Sequence, residues 1–481
     1  MTDRHLLESV VVLLYLAAVA VIGFFSARGG KGGRATDYFL AGRNLGWVAI
    51  GASVFVTAAW MALFAALSHP TLLEQGALPV CAGLAVVLLL FFAREFVPVF
   101  TRSAVFTVAE QWTDRYGTGA GLYLSVVSIL FTVLVRIPLT IIAGSWIIQA
   151  TLGWDFLSFS MLIIVVSGLY TVAGGLGAVV STQVLQALVA IAGLSVLALG
   201  GGGLGVVLPG ALSSDHTSMI GFLAAVVVTG SWFVGADQFT VQRVLGGRDC
   251  TQMRAGIFFA AALMGIILLL GLPITKSGAQ APLLVTAGSG LRSGLVGASF
   301  LALMMATLAG CYHSAATLFT LELYRRFRPS AADARLVLVG RLCTTGVVIF
   351  SILVASSTAL VDVRIFAFLL ELPEETLPPL GALALIGVFW KRISVRGAIL
   401  CLVFGALLGV GLVAVRLAGV EPGSVFNANS IELPLLLFLA PSAVLVIVSL
   451  LSARGKRPHL GEVSSSAHSH AQQALGRSAL R

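Results

Sequence analysis

The chain alternates between long apolar runs and short polar connections. A run of about 20 apolar residues is long enough to cross a bilayer as a helix. By that rule the sequence predicts about thirteen spans: 6–27, 46–69, 78–97, 119–151, 156–173, 178–201, 218–238, 255–275, 293–320, 335–359, 363–390, 396–417 and 432–452. The pattern predicts an all-α, multi-pass membrane protein whose two ends lie on opposite sides of the lipid bilayer.

Composition supports a membrane protein. Of the 481 residues, 58% are apolar and only 10% are charged, whereas soluble domains carry about 25% charged residues. This excludes the soluble, disordered and nucleic-acid-binding classes. The five cysteines show no ligand spacing, which is typical of small core residues rather than of disulfides or a metal site.

The basic residues predict an orientation. Most of the 29 Lys and Arg residues fall in loops on one side of the predicted spans, and basic loops face the cytoplasm. The N-terminus is therefore expected outside the cell membrane and the C-terminus in the cytoplasm. The net charge of +9 is then a signal of topology. The polar tail at 458–481 is expected to be disordered, with His468 and His470 solvated.

Several segments resemble the sodium:solute symporter family. They are the DYFLAGR run at 37–43 with LGW at 45–47 and GAS at 51–53, YTVAGGL at 170–176, Asp237-Gln238 with Gln242-Arg243, Ser314 with TLFT at 317–320 and Tyr324, and FWKR at 389–392. The resemblance implies the leucine-transporter fold, in which two inverted five-helix repeats follow one leading helix and precede two trailing helices. The implied divisions are 1–45, 46–201, 202–217, 218–392, 393–457 and 458–481.

The resemblance also implies that the first helix of each repeat is broken in mid-membrane, where its backbone holds ion and substrate. In the second repeat, Gly230 and Gly235 flank the expected break at 231–234. The matching segment of the first repeat, 55–62, contains neither glycine nor proline. Its break is implied by the family alone.

A sodium site is implied between the second and ninth spans. The family's ligands are carbonyls and hydroxyls, which here match the carbonyls of Val56, Ala59 and Leu303 and the hydroxyl of Thr307. Ala306 replaces an expected hydroxyl, and Gln183 replaces an acid beside the route by which the cation leaves. Both Na⁺ and H⁺ therefore stay open as coupling ions. The alternative for Thr307 is a packing residue bonded to its own helix.

The eleventh span contains three acids, Glu371, Glu374 and Glu375, around Pro373. An acid at the bilayer centre costs about 2.5–3.5 kcal/mol, so these carboxylates are expected to be paired, protonated or exposed to a polar cavity. One hypothesis is that at least one of them binds a cationic substrate group or carries a proton. The alternative is a re-entrant loop near the outer surface with solvated carboxylates.

Arg136, deep in the fourth span, is expected to be the counter-ion of one of these glutamates or an anchor for a substrate carboxylate. Trp60, Trp232 and Phe233 are candidate cavity residues, with core packing as the alternative. His313 is expected to be an interior hydrogen-bonded histidine, with a proton relay as the alternative.

These features predict a secondary active transporter that imports a small organic solute with Na⁺ or H⁺ by alternating access, without a cofactor. The acids favour amines or zwitterions as solutes, and Arg136 favours carboxylates. A membrane sensor is the second hypothesis, although it would need a separate signalling partner. An integral-membrane enzyme using Glu374, Glu375 or His313 is the third, without a motif to support it. The oligomeric state stays open.

Overall fold

The computed structural model of the protein describes residues 3–29, 33–67, 77–103, 105–152, 154–200, 216–270, 290–357, 363–420 and 433–452. Within these ranges the chain is mainly helical, and β-type pairing is limited to one isolated bridge between Leu45 and Gly247. The tail at 458–481, with His468 and His470, and most of the loop at 202–217 lie outside the described residues.

The helices follow one another with short connections. They are α1 (Asp3–Gly29), α2 (Ala35–Leu40), α3 (Trp47–Leu67), α4 (Ala77–Phe91), α5 (Val97–Ser103), α6 (Val108–Tyr116), α7 (Thr118–Phe131), α8 (Ile137–Leu152), α9 (Phe156–Gly200), α10 (His216–Gly235), α11 (Gln238–Leu245), α12 (Cys250–Leu270), α13 (Leu291–Leu318), α14 (Arg325–Phe327), α15 (Asp333–Ser357), α16 (Val363–Thr376), α17 (Pro378–Phe389), α18 (Val395–Leu417) and α19 (Leu433–Ser452). Single π-helical segments at Phe92–Phe96, Thr132–Arg136 and Phe319–Tyr324 join α4 to α5, α7 to α8 and α13 to α14.

Each predicted span overlaps helix, so the all-α, multi-pass fold class is confirmed. Among the described residues, nine helical stretches are both long and apolar enough to cross a membrane. The number of thirteen crossings and the six divisions of the chain stay predictions. One helix that hydropathy did not predict is the amphipathic α6. Its start resembles a capping box, because the N-cap Thr107 accepts through Oγ1 from the Glu110 amide at 2.9 Å, and Glu110 Oε2 accepts from the amide of the preceding Phe106 at 2.7 Å.

Helix α13 lies at the centre of the bundle. Almost every side chain from Ser293 to Leu318 is buried, and the helix packs against α1, α3, α8, α9 and α15. Glycine and alanine along it let neighbouring backbones approach closely, as is usual between membrane helices. Gly310, for example, lies against the Arg243 guanidinium and the Phe239 ring, where a Cβ atom would clash.

Helices are interrupted at three further places. The predicted break at 231–234 is displaced, because α10 continues to Gly235 and the chain turns at Ala236 and Asp237. Asp237 then caps α11 by accepting from the Phe239 amide at 3.2 Å. Helix α9 is kinked at Gly175, and Leu377 separates α16 from α17, which begins with Pro378 and Pro379.

The break implied for 55–62 is wrong for this structure. Helix α3 is continuous from Trp47 to Leu67. The physical reason is local, since the segment lacks glycine and proline, and the one hydroxyl in it bonds within the helix. Thr57 Oγ1 donates to the Val54 carbonyl at 2.9 Å.

Candidate functional site

A cavity of about 120 Å³ lies where α3, α4, α7, α10 and α16 meet. Its wall combines residues from both proposed repeats, such as Ala58 and Leu139 from the first and Val226 and Leu370 from the second. Most of the lining is aliphatic or aromatic. Sites for small molecules in proteins are of this type, mainly apolar with a few polar groups that orient the ligand.

Four predicted site residues line this cavity: Arg136, Trp232, Phe233 and Glu374. Glu371 and Glu375 do not line it, and neither does Trp60, whose indole Nε1 donates to Thr140 Oγ1 at 3.3 Å. The wall also contains Thr229 and Cys81, which the sequence alone did not single out. The sequence indicated them only by their position, because both lie within predicted membrane spans.

Arg136 forms an ion pair with Asp237, not with a glutamate of α16. The Arg136 Nη2 to Asp237 Oδ2 distance is 2.7 Å, and both side chains are almost fully buried. The guanidinium carbon also lies 4.5–5.2 Å from the ring centres of Phe131, Trp232 and Phe239. The predicted glutamate partner was wrong, because the fold places Asp237, at the turn between α10 and α11, within hydrogen-bond distance of the guanidinium.

Three hydrogen-bond donors in the cavity residues have no acceptor among the described residues. They are Arg136 Nε, Trp232 Nε1 and Thr229 Oγ1. Arg136 and Trp232 are each 1% exposed, so bulk water does not reach them in this conformation. Buried donors in native proteins are almost always paired, so these three are available to acceptor oxygens of a bound ligand.

The other two glutamates of α16 share a cation from α18. Arg416 forms an ion pair with Glu371 and a second one with Glu375, at 2.6 Å from Nη2 to Oε1. Sequence reasoning missed Arg416, although its position at the predicted outer end of its span is a usable signal. The segment is helical from Val363 to Thr376, and the re-entrant alternative stays a prediction.

At the predicted sodium site, the structure shows hydrogen bonds among the expected ligands. Thr307 Oγ1 donates to the Leu303 carbonyl at 2.9 Å, as the packing alternative describes. Because α3 is continuous, the Val56 and Ala59 carbonyls point along its axis, as in any α-helix. The role of these residues as ligands stays a prediction.

A polar chain runs beside this site and joins four helices. Arg243 Nε of α11 donates to Ser53 Oγ of α3 at 2.7 Å, and Ser53 Oγ in turn donates to Gln183 Oε1 of α9. Gln183 Nε2 donates to the Ala306 carbonyl of α13 at 2.8 Å. Gln183 therefore lies against the predicted site, whereas Ser53 and Arg243 were seen only as parts of motifs.

His313 lies in the interior. Its Nε2 is 3.4 Å from the Phe39 carbonyl, and its ring packs on Tyr38 and Phe39. These contacts agree with an interior histidine. It lies apart from the residues that line the cavity.

Comparisons with known proteins agree on the class of protein. The model of the sodium:solute symporter family matches residues 38–202 and 274–405. The sodium/mannose cotransporter SLC5A10 of Bos taurus is 27% identical, with 92% of this chain and 86% of the relative aligned. The sodium/myo-inositol cotransporter of Mus musculus is 28% identical, over 92% of this chain and 73% of the relative.

A solved structure shares the fold. A Na⁺-coupled sialic acid symporter in a substrate-bound, outward-open state superposes with a TM-score of 0.74 at 20% identity, covering 92% of this chain and 97% of that one. The family match and the cotransporter relatives define a secondary active transporter, which moves a small solute together with a cation. The chain belongs to the sodium:solute symporter family.

Proposed function

We propose that the chain imports a small organic solute with Na⁺ across the cell membrane, and that the cavity is its solute site. The observation that carries this proposal is the position of the cavity. Its wall is formed by α3, α7, α10 and α16, beside the turn at Ala236 and Asp237 that interrupts a membrane helix. Interrupted helices at the interface of two repeats are where transporters of this kind bind their substrates.

Sodium is the proposed coupling ion, held by carbonyls of Val56, Ala59 and Leu303 and by the hydroxyl of Thr307. These are hard oxygen ligands, and the two cotransporter relatives carry sodium in their names. For these oxygens to turn toward one ion, α3 would have to unwind near Val56. The bound ion would thus favour one conformation over the other, which is how an ion gradient drives solute movement.

Proton coupling is the second candidate, and it would use Glu374. This carboxylate lies in the cavity wall, where a solute could change its protonation. The proposed orientation places the N-terminus outside and the C-terminus in the cytoplasm, as the distribution of basic loops favours.

Uptake into proteoliposomes tests the proposal. Purified protein is reconstituted, and solute accumulation is measured with an inward Na⁺ gradient, with an inward H⁺ gradient, and with neither. Accumulation that needs the Na⁺ gradient supports the proposal, and accumulation that needs only the H⁺ gradient favours the second candidate. Solute binding without any flux would contradict transport and support a sensor, whereas conversion of the solute to a product would support an enzyme.

A further inference from the structure

The polar groups of the cavity wall are few and differ in kind from one another. Three are donors without a described acceptor, Arg136 Nε, Thr229 Oγ1 and Trp232 Nε1. One is a carboxylate, Glu374, on a different helix. The remaining wall is apolar, including Leu88 and Phe131. A ligand that matches this wall needs acceptor oxygens for these donors, a cationic group for Glu374, and an apolar body.

We propose that the solute is a small zwitterion with an apolar side chain, that is, a molecule of the amino-acid type. Its carboxylate accepts hydrogen bonds from Arg136, Thr229 and Trp232, and its ammonium group lies against Glu374. This inference rests on the proposed function, because it takes the cavity to be the solute site.

Charge distinguishes a zwitterion from its two halves. Arg136 is paired with Asp237 at 2.7 Å, and Glu374 places a carboxylate on another helix of the wall. A zwitterion has no net charge, whereas a simple carboxylic acid anion would carry an unbalanced negative charge into a low-dielectric site. A simple amine would leave the buried donors unpaired. A carboxylate has room for several hydrogen bonds, so Glu374 can hold an ammonium group together with any other contact it makes.

The apolar wall argues against a sugar or polyol as the solute. Each hydroxyl of such a molecule needs a hydrogen-bond partner when it is buried, and the residues that line this cavity supply few. The relatives named for mannose and myo-inositol therefore differ from this chain in the chemistry of the solute, on this proposal.

Binding to the purified full-length protein in detergent with saturating Na⁺ tests the proposal by calorimetry. The zwitterions are alanine, valine and leucine, which differ in size. The two halves of leucine are isoamylamine, which lacks the carboxylate, and 4-methylpentanoate, which lacks the amine. Mannose and myo-inositol represent the polyols. We expect at least one zwitterion to bind, and leucine to bind about tenfold or more tightly than either half if it fits.

Substitutions at two positions test which wall residue contacts the ammonium group of the ligand and which contacts its carboxylate. Glu374→Gln is expected to weaken binding of the zwitterion and of isoamylamine about tenfold, without weakening 4-methylpentanoate. Glu371→Gln is the matched control, since Glu371 lies on the same helix but faces Arg416, and it should leave these ratios unchanged. Thr229→Val is expected to weaken the zwitterion and 4-methylpentanoate but not isoamylamine, and Thr229→Ser should restore them. Each result is the ratio of the affinities of two ligands for the same variant. A general loss of folded protein would not change this ratio.

The proposal is overturned if mannose or myo-inositol binds more tightly than every zwitterion, if no zwitterion of the three sizes binds, or if Glu374→Gln leaves the ratios unchanged. Its failure is distinct from failure of the transport proposal. Sodium-driven accumulation of a polyol would uphold transport and overturn the zwitterion, whereas a bound zwitterion that never accumulates would uphold the solute class and overturn transport.

Discussion

At the scale of single residues, Arg136 and Asp237 form the most deeply buried ion pair in the part of the chain that the structure describes. Both side chains are almost fully buried, and moving either charge out of water is costly unless the other stays in contact. The pair also holds the guanidinium in the cavity wall and caps α11 through Asp237. It therefore connects the fourth span to the interruption that the transporter fold requires.

Arg136→Gln and Asp237→Asn, made singly, are each expected to lower stability by about 3–5 kcal/mol, because each leaves one buried charge without its partner. The double variant should recover part of the loss. Thermal unfolding in detergent measures this. The control is Arg325→Gln, which removes a partly exposed pair with Glu110 at 3.5 Å and should cost less than about 1 kcal/mol. Single variants as stable as this control would contradict the expectation.

Ala306 gives a second prediction, since it stands where the family resemblance expects a hydroxyl. Ala306→Ser adds one oxygen beside Thr307, and we expect it to lower the Na⁺ concentration for half-maximal uptake by a factor of roughly 2–10, the effect of about 0.5–1.5 kcal/mol. Ala309→Ser, on the same buried helix, is the control and should leave that concentration unchanged. An equal effect of both substitutions would argue against a cation site here.

The sequence predicted that some charged residues are buried, but in several cases it did not predict which side chain each of them contacts. The sequence identified Arg136 as a buried charge in need of a counter-ion, and it identified Asp237 only as part of a motif. Pairing depends on which helix faces which, and that follows from packing between elements far apart in the chain. For the same reason Arg416 was not recognised as the partner of Glu371 and Glu375.

At the scale of helices, the kink in α9 decides how α2 packs. Gly175 has φ +59° and ψ −148°, a backbone conformation that is almost confined to glycine. A Cβ atom at this position would clash with the Tyr38 carbonyl of α2. The glycine therefore allows both the change of direction within α9 and the close approach of α2.

Gly175→Ala is expected to destabilise the protein by at least about 1–3 kcal/mol, from backbone strain and from the clash with α2. Gly177→Ala is a close control, because the nearest atom to its added Cβ, that of Ala41, is 4.0 Å away. It should be neutral or slightly stabilising, since alanine favours helix. Loss of thermal stability in the Gly177 variant equal to that of the Gly175 variant would refute the explanation.

Helix interruptions were predictable only where the sequence has a local cause. Prolines 378 and 379 and Gly235 lie at observed ends of helices, and the sequence indicated both regions. In α10 the break lies slightly further along, because Asp237 supplies the cap that begins the next helix. In α3 no residue breaks the helix locally, so the implied unwinding does not occur in this conformation. An ion would have to supply the free energy for it.

At the scale of the whole molecule, apolar length and order along the chain were sufficient to predict the fold class. Each span could be located because about 20 apolar residues are needed to cross lipid. The sidedness follows from a separate signal, the basic loops. Since that signal acts during insertion and leaves no contact in the folded protein, it must be tested directly.

Two single cysteines in a cysteine-free background test sidedness. Arg328→Cys, in the exposed turn after α14, is expected to react with a membrane-impermeant maleimide only in inside-out vesicles. Ala418→Cys, in the exposed turn after α18, should react only in intact cells. Labelling of both positions from the same side would contradict the predicted topology. Mass spectrometry of the labelled protein gives the extent of reaction.

The triad of Arg416, Glu371 and Glu375 joins α18 to a helix of the cavity wall. Helix α16 presents Glu374 to the cavity and its two neighbouring acids to α18. If entry of the proposed solute displaces α16, the ionic contacts will carry the C-terminal end of α18 with it. A distance measured spectroscopically between labels on α18 and on the central α13 would then report whether the cavity is occupied. Neither label would be close to a residue that contacts the solute.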